Sequence, residues 1–349
     1  MELTIDGRNV PFRAGQTVLD VARENGIYIP TLCWHPRIGP SSRCRLCIVE
    51  IEGTRGLQTA CSVLAGSGIT VRTDTEIVKT ARRMTVENLL YDGHHDCIAC
   101  EANGRCELQD VAYRLGIREY PVVSEPAQLL DDSSAMIVMD PNKCIVCGRC
   151  IIACNEIVGN DVLTFSQRGY RTKIVCDTAV PMAESSCVQC GECLQLCPTG
   201  AITEKKSAGK GREWELEKVN STCPYCGVGC QVILHVDRAA NRIVRISGRE
   251  VPPNDGMLCV KGRFAYEFTE SPKRLTKPLI KKDGKHVEVS WDEALDYTAR
   301  RFKEIKEKHG ADAFGFIASS RSTNENAYAT MKFSRAVIGT NNVDNCART

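Results

Sequence analysis

Most of the 21 cysteines in this 349-residue sequence stand in short, regular runs. The clearest run is Cys-x2-Cys-x2-Cys-x3-Cys, which occurs in "CIVCGRCIIAC" and again in "CVQCGECLQLCP". Thiolates separated by two residues can reach neighbouring irons of one cubane, and this run is typical of 4Fe–4S sites. The repeat therefore predicts two 4Fe–4S clusters within one small domain.

In proteins with two such runs, the fourth cysteine of each run binds the cluster of the other run. The predicted ligand sets are Cys144, Cys147, Cys150 and Cys197 for one cluster, and Cys187, Cys190, Cys193 and Cys154 for the other. Asn155 stands where a proline often follows, a change that removes no ligand. Zinc also takes four thiolates, but two copies of this run make zinc the weaker alternative.

Three further groups of cysteines lie outside the repeat. The first has the spacing Cys-x10-Cys-x2-Cys-x13-Cys and consists of Cys33, Cys44, Cys47 and Cys61. The second consists of Cys97, Cys100 and Cys106, with His94 and His95 just upstream. The third consists of Cys223, Cys226, Cys230 and Cys259. Together with the repeat, these groups predict five separate metal centres.

The groups contain 19 of the 21 cysteines and leave only Cys176 and Cys346. Cysteines placed for disulfide bonds would not be expected to sort so completely into sets with metal-ligand spacing. The first residues, "MELTIDGRNVPF", predict a strand, a turn and a strand instead of a signal peptide. We therefore expect a cytoplasmic protein whose cysteines bind metal, because cytosolic thiols stay reduced.

The overall composition is that of an ordinary globular protein. Hydrophobic residues make up 43% and charged residues 25%, and the formal net charge is +2. This balance does not favour binding to nucleic acid or to an anionic membrane. No apolar run approaches the roughly 18 to 20 residues that span a bilayer. The length predicts two or three domains at about 150 residues per domain.

Several elements must position these cysteines. A hairpin that turns at Asp6 and Gly7 precedes the short helix "TVLDVARENG", and residues 76–91 predict an amphipathic helix. "EKKSAGKGRE" predicts a linker, and "QVILHV" and "RIVRISG" predict strands. From Ser290, a capping box with Glu293 begins a helix, a buried strand in "AFGFIAS" and a second helix. The sequence predicts an α+β multidomain protein.

The first cysteine group resembles the 2Fe–2S domain that opens the large iron–sulfur subunit of respiratory complex I. The resemblance implies a β-grasp fold over residues 1–77, and a structural zinc site is the alternative. The same relatives carry a 4Fe–4S cluster bound by the motif His-x3-Cys-x2-Cys-x5-Cys, which implies such a domain at 78–122. Gly93 occupies the motif's histidine position here. Either His94 or His95 could bind if the loop tightens, and we favour His95. A three-cysteine cluster with water or another fourth ligand is the alternative.

The residues "CPYCGVGC" and "LCVKGR" resemble the 4Fe–4S domain that opens molybdenum or tungsten bis-pterin oxidoreductases, especially formate dehydrogenases. The resemblance implies this domain at residues 216–272, after a two-cluster ferredoxin domain at 136–206. It also implies the start of an α/β molybdopterin oxidoreductase domain at 273–349. In that family, a lysine two residues after the fourth cysteine lies between the cluster and the pterin, and here this residue is Lys261.

The family resemblance implies a complete reaction for the full-length enzyme. Formate would be oxidised to CO2 at molybdenum- or tungsten-bis(molybdopterin guanine dinucleotide). Electrons would pass Lys261 and then the two ferredoxin-type clusters, the histidine-ligated cluster and the 2Fe–2S cluster. One 2Fe–2S and four 4Fe–4S clusters would hold about eighteen irons. The implied partner is a diaphorase with flavin and iron–sulfur clusters that reduces NAD, or else hydrogenase or ferredoxin subunits.

The end of the sequence, "GTNNVDNCART", also resembles the formate dehydrogenase catalytic subunit. In that family the next residue is the selenocysteine or cysteine that binds the metal. Because UGA encodes selenocysteine and is ordinarily a stop codon, we expect that the chain ends at Thr349 through termination at such a codon. Cys346 would be a neighbour of that ligand. We expect the 349-residue chain to hold clusters without oxidising formate alone.

Two other functions remain open from these residues. The chain could be a stand-alone electron-transfer subunit, like the iron–sulfur arm of complex I or of a hydrogenase. The complete protein could also be another bis-pterin enzyme, such as an assimilatory nitrate reductase. If the chain is a stand-alone subunit, no catalytic domain should be encoded downstream. Assays of the full-length protein with formate and with nitrate distinguish a formate dehydrogenase from a nitrate reductase.

Overall fold

The computed structural model describes residues 1–119 and 128–346. The chain forms two compact units, of which one comprises Met1–Lys218 and His235–Arg245 and the other Val219–Leu234 and Ile246–Thr349. Both units contain helices and sheets, as expected for an α+β protein. No helix within the described ranges is both long enough and apolar enough to cross a membrane.

The amino-terminal region is a five-stranded sheet with the order β2-β1-β5-β3-β4. Its strands are β1 (Glu2–Ile5), β2 (Arg8–Pro11), β3 (Ile48–Ile51), β4 (Gln58–Thr59) and β5 (Thr70–Arg72). β1 pairs antiparallel with β2 and parallel with β5. The predicted hairpin turn at Asp6 and Gly7 is confirmed, since both residues have positive φ, at 47° and 78°.

Helix α1 (Val18–Glu24) packs its apolar side into the core of this sheet. It begins at Thr17, whose backbone nitrogen donates to Asp20 Oδ2 at 2.9 Å while its hydroxyl accepts from the Asp20 nitrogen at 3.2 Å. This reciprocal cap satisfies two backbone donors that the first turn leaves open. The buried residues shared by helix and sheet include Leu3, Ile5, Leu19, Val49 and Val71.

Two helices follow the sheet. α2 (Glu76–Tyr91) has the predicted bounds, and Thr75 caps it by accepting from the Val78 nitrogen at 3.4 Å. Its buried residues recur every fourth position, at Val78, Arg82, Val86 and Leu90, which places them on one face. α3 (Glu107–Arg114) packs with α2 in a second core that also contains buried cysteines.

The repeat region forms two short antiparallel strand pairs and two short helices. The strands are β6 (Ile137–Met139), β7 (Leu163–Ser166), β8 (Lys173–Cys176) and β9 (Ile202–Glu204), and the helices are α4 (Arg149–Ile152) and α5 (Glu192–Leu196). β6 pairs with β9 and β7 with β8, both antiparallel. A π-helical turn, Ala153–Val158, continues α4. Each helix follows a glycine with positive φ, so the sequence repeat is also a structural repeat.

Three strands come next, β10 (Glu217–Thr222), β11 (Gln231–Asp237) and β12 (Arg242–Gly248), in a sheet of that order. β11 and β12 are the two strands that the sequence predicts, whereas β10 is not predicted. Helix α6 (Val260–Phe264) begins directly after Cys259. The short helix and the loops before it carry the last cysteine group.

The final region is a hairpin followed by a parallel α/β unit. The hairpin is β13 (Leu279–Lys282) with β14 (Lys285–Glu288), and then come α7 (Trp291–His309), β15 (Phe316–Ala318), α8 (Asn324–Lys332) and β16 (Val343–Asn345). β15 pairs parallel with β16, as a crossover through α8 requires. The predicted capping hydroxyl of Ser290 accepts from the Glu293 nitrogen at 3.1 Å, but the Glu293 carboxylate pairs with Lys282 at 2.9 Å. The predicted burial of β15 is wrong for its central residue, since Ile317 is 78% exposed.

Candidate iron–sulfur centres

The first cysteine group is shared by two cores, because Cys47 and Cys61 pack in the core of the amino-terminal sheet and Cys33 and Cys44 in the core that contains α2 and α3. All four of its thiols are buried, and they come from two loops and the ends of two strands: Cys33, Cys44, Cys47 and Cys61. The Leu32 nitrogen donates to Cys44 Sγ at 3.5 Å, and Ser42 Oγ lies 3.5 Å from Cys61 Sγ. Two of the four buried sulfur atoms therefore have a backbone amide or a hydroxyl group beside them.

These four thiols are arranged as two pairs. The Cys44 thiol donates a hydrogen bond to Cys33 and lowers the pKa of Cys33 to about 4, despite burial. The Cys47 thiol does the same for Cys61, whose pKa falls to about 6. The pKa values of Cys44 and Cys47 are raised for the converse reason. Two close pairs are the arrangement that a 2Fe–2S cluster needs, because it has two irons and four terminal thiolates.

The second group surrounds a cavity of about 290 Å³. The residues that line it are His95, Asp96, Cys97, Cys100, Asn103, Cys106, Gln109, Lys143, Thr199 and Gly200. His94 is not among them, and its backbone nitrogen donates to Asn142 O at 2.9 Å. Of the two candidate histidines, the structure brings His95 together with the three cysteines.

Gly93 explains why no side chain occupies the usual histidine position. A Cβ atom at Gly93 would lie 2.5 Å from Asn142 O and 2.6 Å from His95 Nε2. Both distances are far below van der Waals contact, and the carbonyl belongs to the backbone. The same carbonyl accepts from His94. The absence of a side chain at residue 93 therefore leaves room for this carbonyl and for the His95 ring, whose Nε2 lies 3.3 Å from Leu89 O.

Residues from neighbouring segments, among them Lys143 and Gly200, also line this cavity. Lys143 Nζ pairs with Asp96 Oδ1 at 2.9 Å and with Asp140 Oδ2 at 3.2 Å. Burial lowers the pKa of Lys143, but these ion pairs outweigh it and raise that pKa to about 12. A Cβ atom at Gly200 would lie 2.5 Å from Cys100 Sγ, so a glycine is needed for this close backbone approach.

The segment 204–213, predicted to be a linker, instead packs on the loop of the second group. The Gly209 nitrogen donates to Glu101 Oε1 at 3.1 Å. Arg212 donates to Cys100 O at 3.0 Å and to Ile98 O at 2.9 Å. The composition is that of a linker, but hydrogen bonds from Gly209 and Arg212 hold the segment against the loop that carries Cys100.

The repeat brings together the two crossed ligand sets. A second cavity, of about 350 Å³, is lined by Cys154 from the first run together with Cys187, Cys190 and Cys193 from the second. In the other set, burial raises the pKa of Cys150, with further contributions from the charges of Cys147, Cys197 and Cys144. The fourth cysteine of each run therefore lies with the first three of the other run.

Backbone amides point at the sulfur atoms in equivalent places of the repeat. The Val146 nitrogen donates to Cys144 Sγ and the Gln189 nitrogen to Cys187 Sγ, both at 3.4 Å. Val146 and Gln189 have positive φ, at 53° and 56°. A β-branched valine rarely adopts this conformation, so the turn is held by the surrounding structure. Such amides stabilise negative charge on a cluster and tune its potential.

The last group lies in the second unit and is less enclosed. Cys226 and Cys259 are exposed, whereas Cys223 and Cys230 are half-buried. The Cys223 nitrogen donates to Cys230 O at 2.8 Å. Burial raises the pKa of Cys223, and the charges of Cys259 and Cys226 add to that rise, so the thiols lie near one another. The exposed Lys261 stands in the first turn of α6, two residues after Cys259.

Two of the thiol groups line pockets at the protein surface, the second group and one set of the repeat. Over residues 1–119 and 128–346, no three His, Cys, Asp or Glu side chains are arranged to hold one metal ion.

Two cysteines lie outside these groups, as the spacing predicts. Cys176 is buried at the end of β8, and Cys346 is exposed after β16. The Ser320 and Ser319 hydroxyls lie 3.5 and 3.6 Å from Cys346 Sγ and lower its pKa to about 7. The last three residues of the predicted tail motif, 347–349, lie outside the described residues.

Sequence reasoning missed a buried ion pair beside the cysteines. Arg149 is 2% exposed and binds both carboxylate oxygens of Glu107, at 2.6 and 2.7 Å. At the equivalent position of the second run, Glu192 is 1% exposed and pairs with Arg37. A charged residue directly before the third cysteine of each run is the sequence signal that could have identified both positions.

Each part of the chain matches a known family of domains. Residues 1–76 match the 2Fe-2S iron-sulfur cluster binding domain, and residues 82–121 match the NADH-ubiquinone oxidoreductase-G iron-sulfur binding region. Residues 143–201 match the 4Fe-4S dicluster domain. Residues 216–271 match the molybdopterin oxidoreductase Fe4S4 domain, and residues 274–349 match molybdopterin oxidoreductase. These matches confirm the predicted fold class and domain types.

Curated relatives match the whole chain. The sequence is 37% identical to the NADPH-Fe(3+) oxidoreductase subunit alpha of Geobacter sulfurreducens, over 100% of this chain and 40% of that protein. It is 38% identical to an NADH-quinone oxidoreductase G-type subunit of Rhizobium meliloti, with the same shares. It is 33% identical to a Staphylococcus aureus protein named "Putative formate dehydrogenase", over 99% of this chain and 39% of that protein. The chain thus spans about 40% of the length of these relatives.

A solved structure shares the fold of part of the chain. A chain of an NAD+-reducing NiFe-hydrogenase is 33% identical, with a TM-score of 0.57, over 60% of this chain and 89% of that chain. From these matches, the chain is similar to iron–sulfur subunits that carry a molybdopterin oxidoreductase domain, among them subunits named for NADH-quinone oxidoreductase and a protein named for formate dehydrogenase.

Proposed function

We propose that this chain is the electron-transfer portion of a formate dehydrogenase. Iron–sulfur domains of the electron-carrying type stand beside a molybdopterin oxidoreductase domain in one chain, and this combination is the observation that supports the proposal. In the complete enzyme, formate would lose two electrons and its C–H hydrogen to give CO2. The molybdenum- or tungsten-bis(molybdopterin guanine dinucleotide) would supply the chemistry of that oxidation.

The ligand sets of the proposal follow the grouping of the thiols. Cys33 with Cys44 would hold one iron of the 2Fe–2S cluster, and Cys47 with Cys61 the other, because these are the two close pairs. His95 would be the fourth ligand beside Cys97, Cys100 and Cys106. The remaining three 4Fe–4S clusters would use Cys144, Cys147, Cys150 and Cys197; Cys187, Cys190, Cys193 and Cys154; and Cys223, Cys226, Cys230 and Cys259. When bound, these clusters supply reversible one-electron transfer.

Backbone and hydroxyl groups connect the ligand sets of the first unit. The Glu107 nitrogen donates to Pro198 O at 2.8 Å, which joins the residue after Cys106 to the residue after Cys197. The Ser41 hydroxyl donates to Cys147 O at 3.0 Å and lies 3.4 Å from Cys33 O. Both contacts lead to one 4Fe–4S ligand set. They support a junction at this set in place of the strictly serial order that the family resemblance predicts.

Lys261 would serve between the last cluster and the pterin. Its position two residues after Cys259 agrees with that role, and a cation there favours a reduced cluster and an anionic pterin. The proposed partner at the other end is a flavin- and iron–sulfur-containing diaphorase linked to NAD. A structural relative named as an NAD+-reducing hydrogenase and relatives named for NADH and NADPH support an NAD-linked partner over a ferredoxin partner.

A second function is electron transfer from NADH or NADPH without formate. It is favoured by the relatives named as an NADH-quinone oxidoreductase and an NADPH-Fe(3+) oxidoreductase, which are 38% and 37% identical. In that case the chain would serve as an iron–sulfur arm. Nitrate reduction is a third candidate, which rests on the bis-pterin domain alone.

The test is an anaerobic electron-transfer assay with the full-length protein. We expect formate to bleach the visible absorbance of the oxidised clusters within one turnover, and we expect nitrate not to re-oxidise clusters that dithionite has reduced. The 349-residue chain should contain about eighteen irons by iron and sulfide analysis and should remain inert to formate. Reduction of the full-length protein by NADH in the presence of the diaphorase partner, and not by formate, would select the second function, and a colourless, zinc-containing chain would contradict both.

A further inference from the structure

A buried guanidinium lies among the ligand sets of the first unit. Arg149 is the first residue of α4, between Gly148 and Cys150, and is 2% exposed. A buried cation is unfavourable unless it is paired and hydrogen-bonded. The partners that satisfy this cation therefore show which parts of the fold it joins.

Three elements supply these partners. Arg149 Nη1 and Nη2 bind the two carboxylate oxygens of Glu107 at 2.6 and 2.7 Å. Arg149 Nη2 donates to Trp34 O at 2.7 Å, and Nη1 donates to Leu196 O at 3.5 Å. Trp34 belongs to the amino-terminal domain, Glu107 begins α3, and Leu196 ends α5. One side chain thus ties together three segments that are far apart in sequence.

Each of these partners is adjacent in the chain to a proposed ligand. The adjacent pairs are Cys33–Trp34, Cys106–Glu107, Leu196–Cys197 and Arg149–Cys150. The first belongs to the 2Fe–2S set, the second to the histidine-ligated set, and the last two to one ferredoxin-type set. The guanidinium is therefore within one residue of ligands of three different centres.

The chemistry of arginine suits this place. A guanidinium is planar and presents its donors in a rigid fork, so it can bind a carboxylate with two nitrogens and still reach carbonyl oxygens. A lysine would keep the positive charge but could not satisfy acceptors in these directions together. Charge and geometry can therefore be separated by substitution.

The second run of the repeat offers a built-in comparison. Its equivalent residue, Glu192, has the opposite charge, is 1% exposed and pairs with Arg37. Glu192 lines the cavity formed by Cys154, Cys187, Cys190 and Cys193. Both runs thus bury a charge directly before the third cysteine, but the contacts of Arg149 reach three centres, whereas the Glu192 ion pair leads to Arg37 of the amino-terminal domain.

We propose that Arg149 is a positioning residue that holds the 2Fe–2S, histidine-ligated and Cys144-containing centres at fixed separations through its guanidinium fork. Its positive charge also makes reduction of the Cys144-containing centre more favourable than it would be beside a neutral side chain. The proposal rests on the ligand sets assigned under the proposed function. It does not depend on formate being the substrate.

The experiment compares Arg149→Lys and Arg149→Gln in the anaerobically purified chain with all clusters in place. Iron content, EPR-monitored redox titration and the magnetic coupling between reduced centres are measured for each. We expect both variants to lose the wild-type coupling between the 2Fe–2S and Cys144-containing centres. Only Arg149→Gln should lower the midpoint potential of the latter centre, because Arg149→Lys keeps the charge.

Glu192→Gln is the matched control at the equivalent position. It should leave the signals of the histidine-ligated centre and its coupling unchanged. Wild-type coupling in Arg149→Lys would overturn the role of the fork, and an unchanged potential in Arg149→Gln would overturn the role of the charge. If Glu192→Gln lost as much coupling as Arg149→Gln, a buried charge at either position would be enough to maintain the coupling. That result would also overturn the proposal.

If the Arg149 variants lose iron, Glu107→Gln provides the second test. Glu107 is 43% exposed, so its amide should be tolerated while Arg149 loses its counter-charge. We expect the potential of the Cys144-containing centre to rise, and an unchanged potential and coupling would refute the proposal. Absence of clusters from the wild-type chain would instead refute the ligand sets themselves, so the two failures are distinguishable.

Discussion

The first and last cysteine groups have four thiols each but very different surroundings. In the amino-terminal group every thiol is buried, with none more than 8% exposed. In the last group Cys226 and Cys259 are exposed. The first site is thus part of a protein core, whereas the last is formed by a surface turn and the start of a short helix.

The helices of the two regions differ in the same direction. α1 has only seven residues but buries Val18, Leu19, Val21 and Ala22. α7 has 19 residues and buries none of them. Because the thiols of the first site are buried and two thiols of the last site are exposed, we expect packing to hold the first set of ligands without metal more firmly than the last. This difference can be tested in four ways, beginning with the largest expected effect.

Removal of iron should affect the two regions unequally. We expect residues 223–230 to lose their protection against hydrogen exchange in the apo chain, because few buried contacts hold them. The sheet of residues 1–76 should keep most of its protection, since most side chains of its core are apolar residues that bind no metal. Hydrogen-exchange mass spectrometry of loaded and apo chains measures both. Equal exchange in β1 and in the 223–230 turn would contradict the comparison.

Gly93→Ala should remove one centre from the packed region. The new Cβ would lie 2.5 Å from Asn142 O, so the loop must move and carry His95 away from the cavity. We expect a loss of about four irons per chain, measured by iron analysis, and loss of one 4Fe–4S EPR signal. Gly315→Ala is the matched control, because nothing lies within 4 Å of its added Cβ. Full iron content in Gly93→Ala would show that the loop tolerates the side chain.

Leucine truncations should separate the two regions by stability. Leu19 is fully buried, and Leu19→Ala should lower the free energy of unfolding of the amino-terminal domain by about 2 to 5 kcal/mol. Leu295 on α7 is 60% exposed, and Leu295→Ala should change stability by less than about 0.5 kcal/mol. Denaturant unfolding followed by site-resolved hydrogen exchange measures both. Similar losses in the two variants would contradict the difference in packing.

Acid should destabilise the first unit through His235. Burial, with the charge of Arg245, lowers the pKa of His235 to about 3, and its Nδ1 lies 2.9 Å from Arg245 Nη2. Between the unfolded pKa near 6.5 and this value, the unfolded chain binds more protons than the folded chain. Stability therefore falls with decreasing pH, by up to about 1.4 kcal/mol per pH unit for one such group.

Urea unfolding at a series of pH values measures this slope, and His235→Asn should make it shallower between pH 6 and pH 4. The residual slope below pH 4.5 would come from Glu213. Its ion pairs with Lys218 and Arg245 lower its pKa to about 2 although burial opposes this. An equal slope in the histidine variant would contradict the assignment.

Sequence periodicity was sufficient for the strongly amphipathic elements. α2 has the predicted bounds because one buried residue in every four marks its face and Thr75 marks its start. The domain types followed from cysteine spacing, because thiolate ligands of one cluster must be close in sequence or in space. The exposed β10 was missed because its burial pattern has no apolar alternation to reveal it.

Long-range contacts could not be predicted from spacing. Segment 204–213 has the composition of a linker, and only long-range hydrogen bonds, such as those of Gly209 and Arg212, show that it packs on the rest of the first unit. The choice between His94 and His95 depends on the Asn142 carbonyl, which lies almost fifty residues further along the chain. The hydrogen bond from Arg149 to Trp34 is likewise long-range, since the two residues are about 115 positions apart in the sequence.

The opposite charges of Arg149 and Glu192 make the two halves of the repeat non-interchangeable. A chimaera that carried the first half twice would place a second guanidinium against Arg37, so two cations would meet in a buried space. A chimaera built from the second half alone would set a carboxylate against Glu107. Like charges in a poorly solvated space repel strongly, so neither hybrid would pack against the rest of the first unit. The two copies of the motif can therefore pack against the rest of the first unit in only one order.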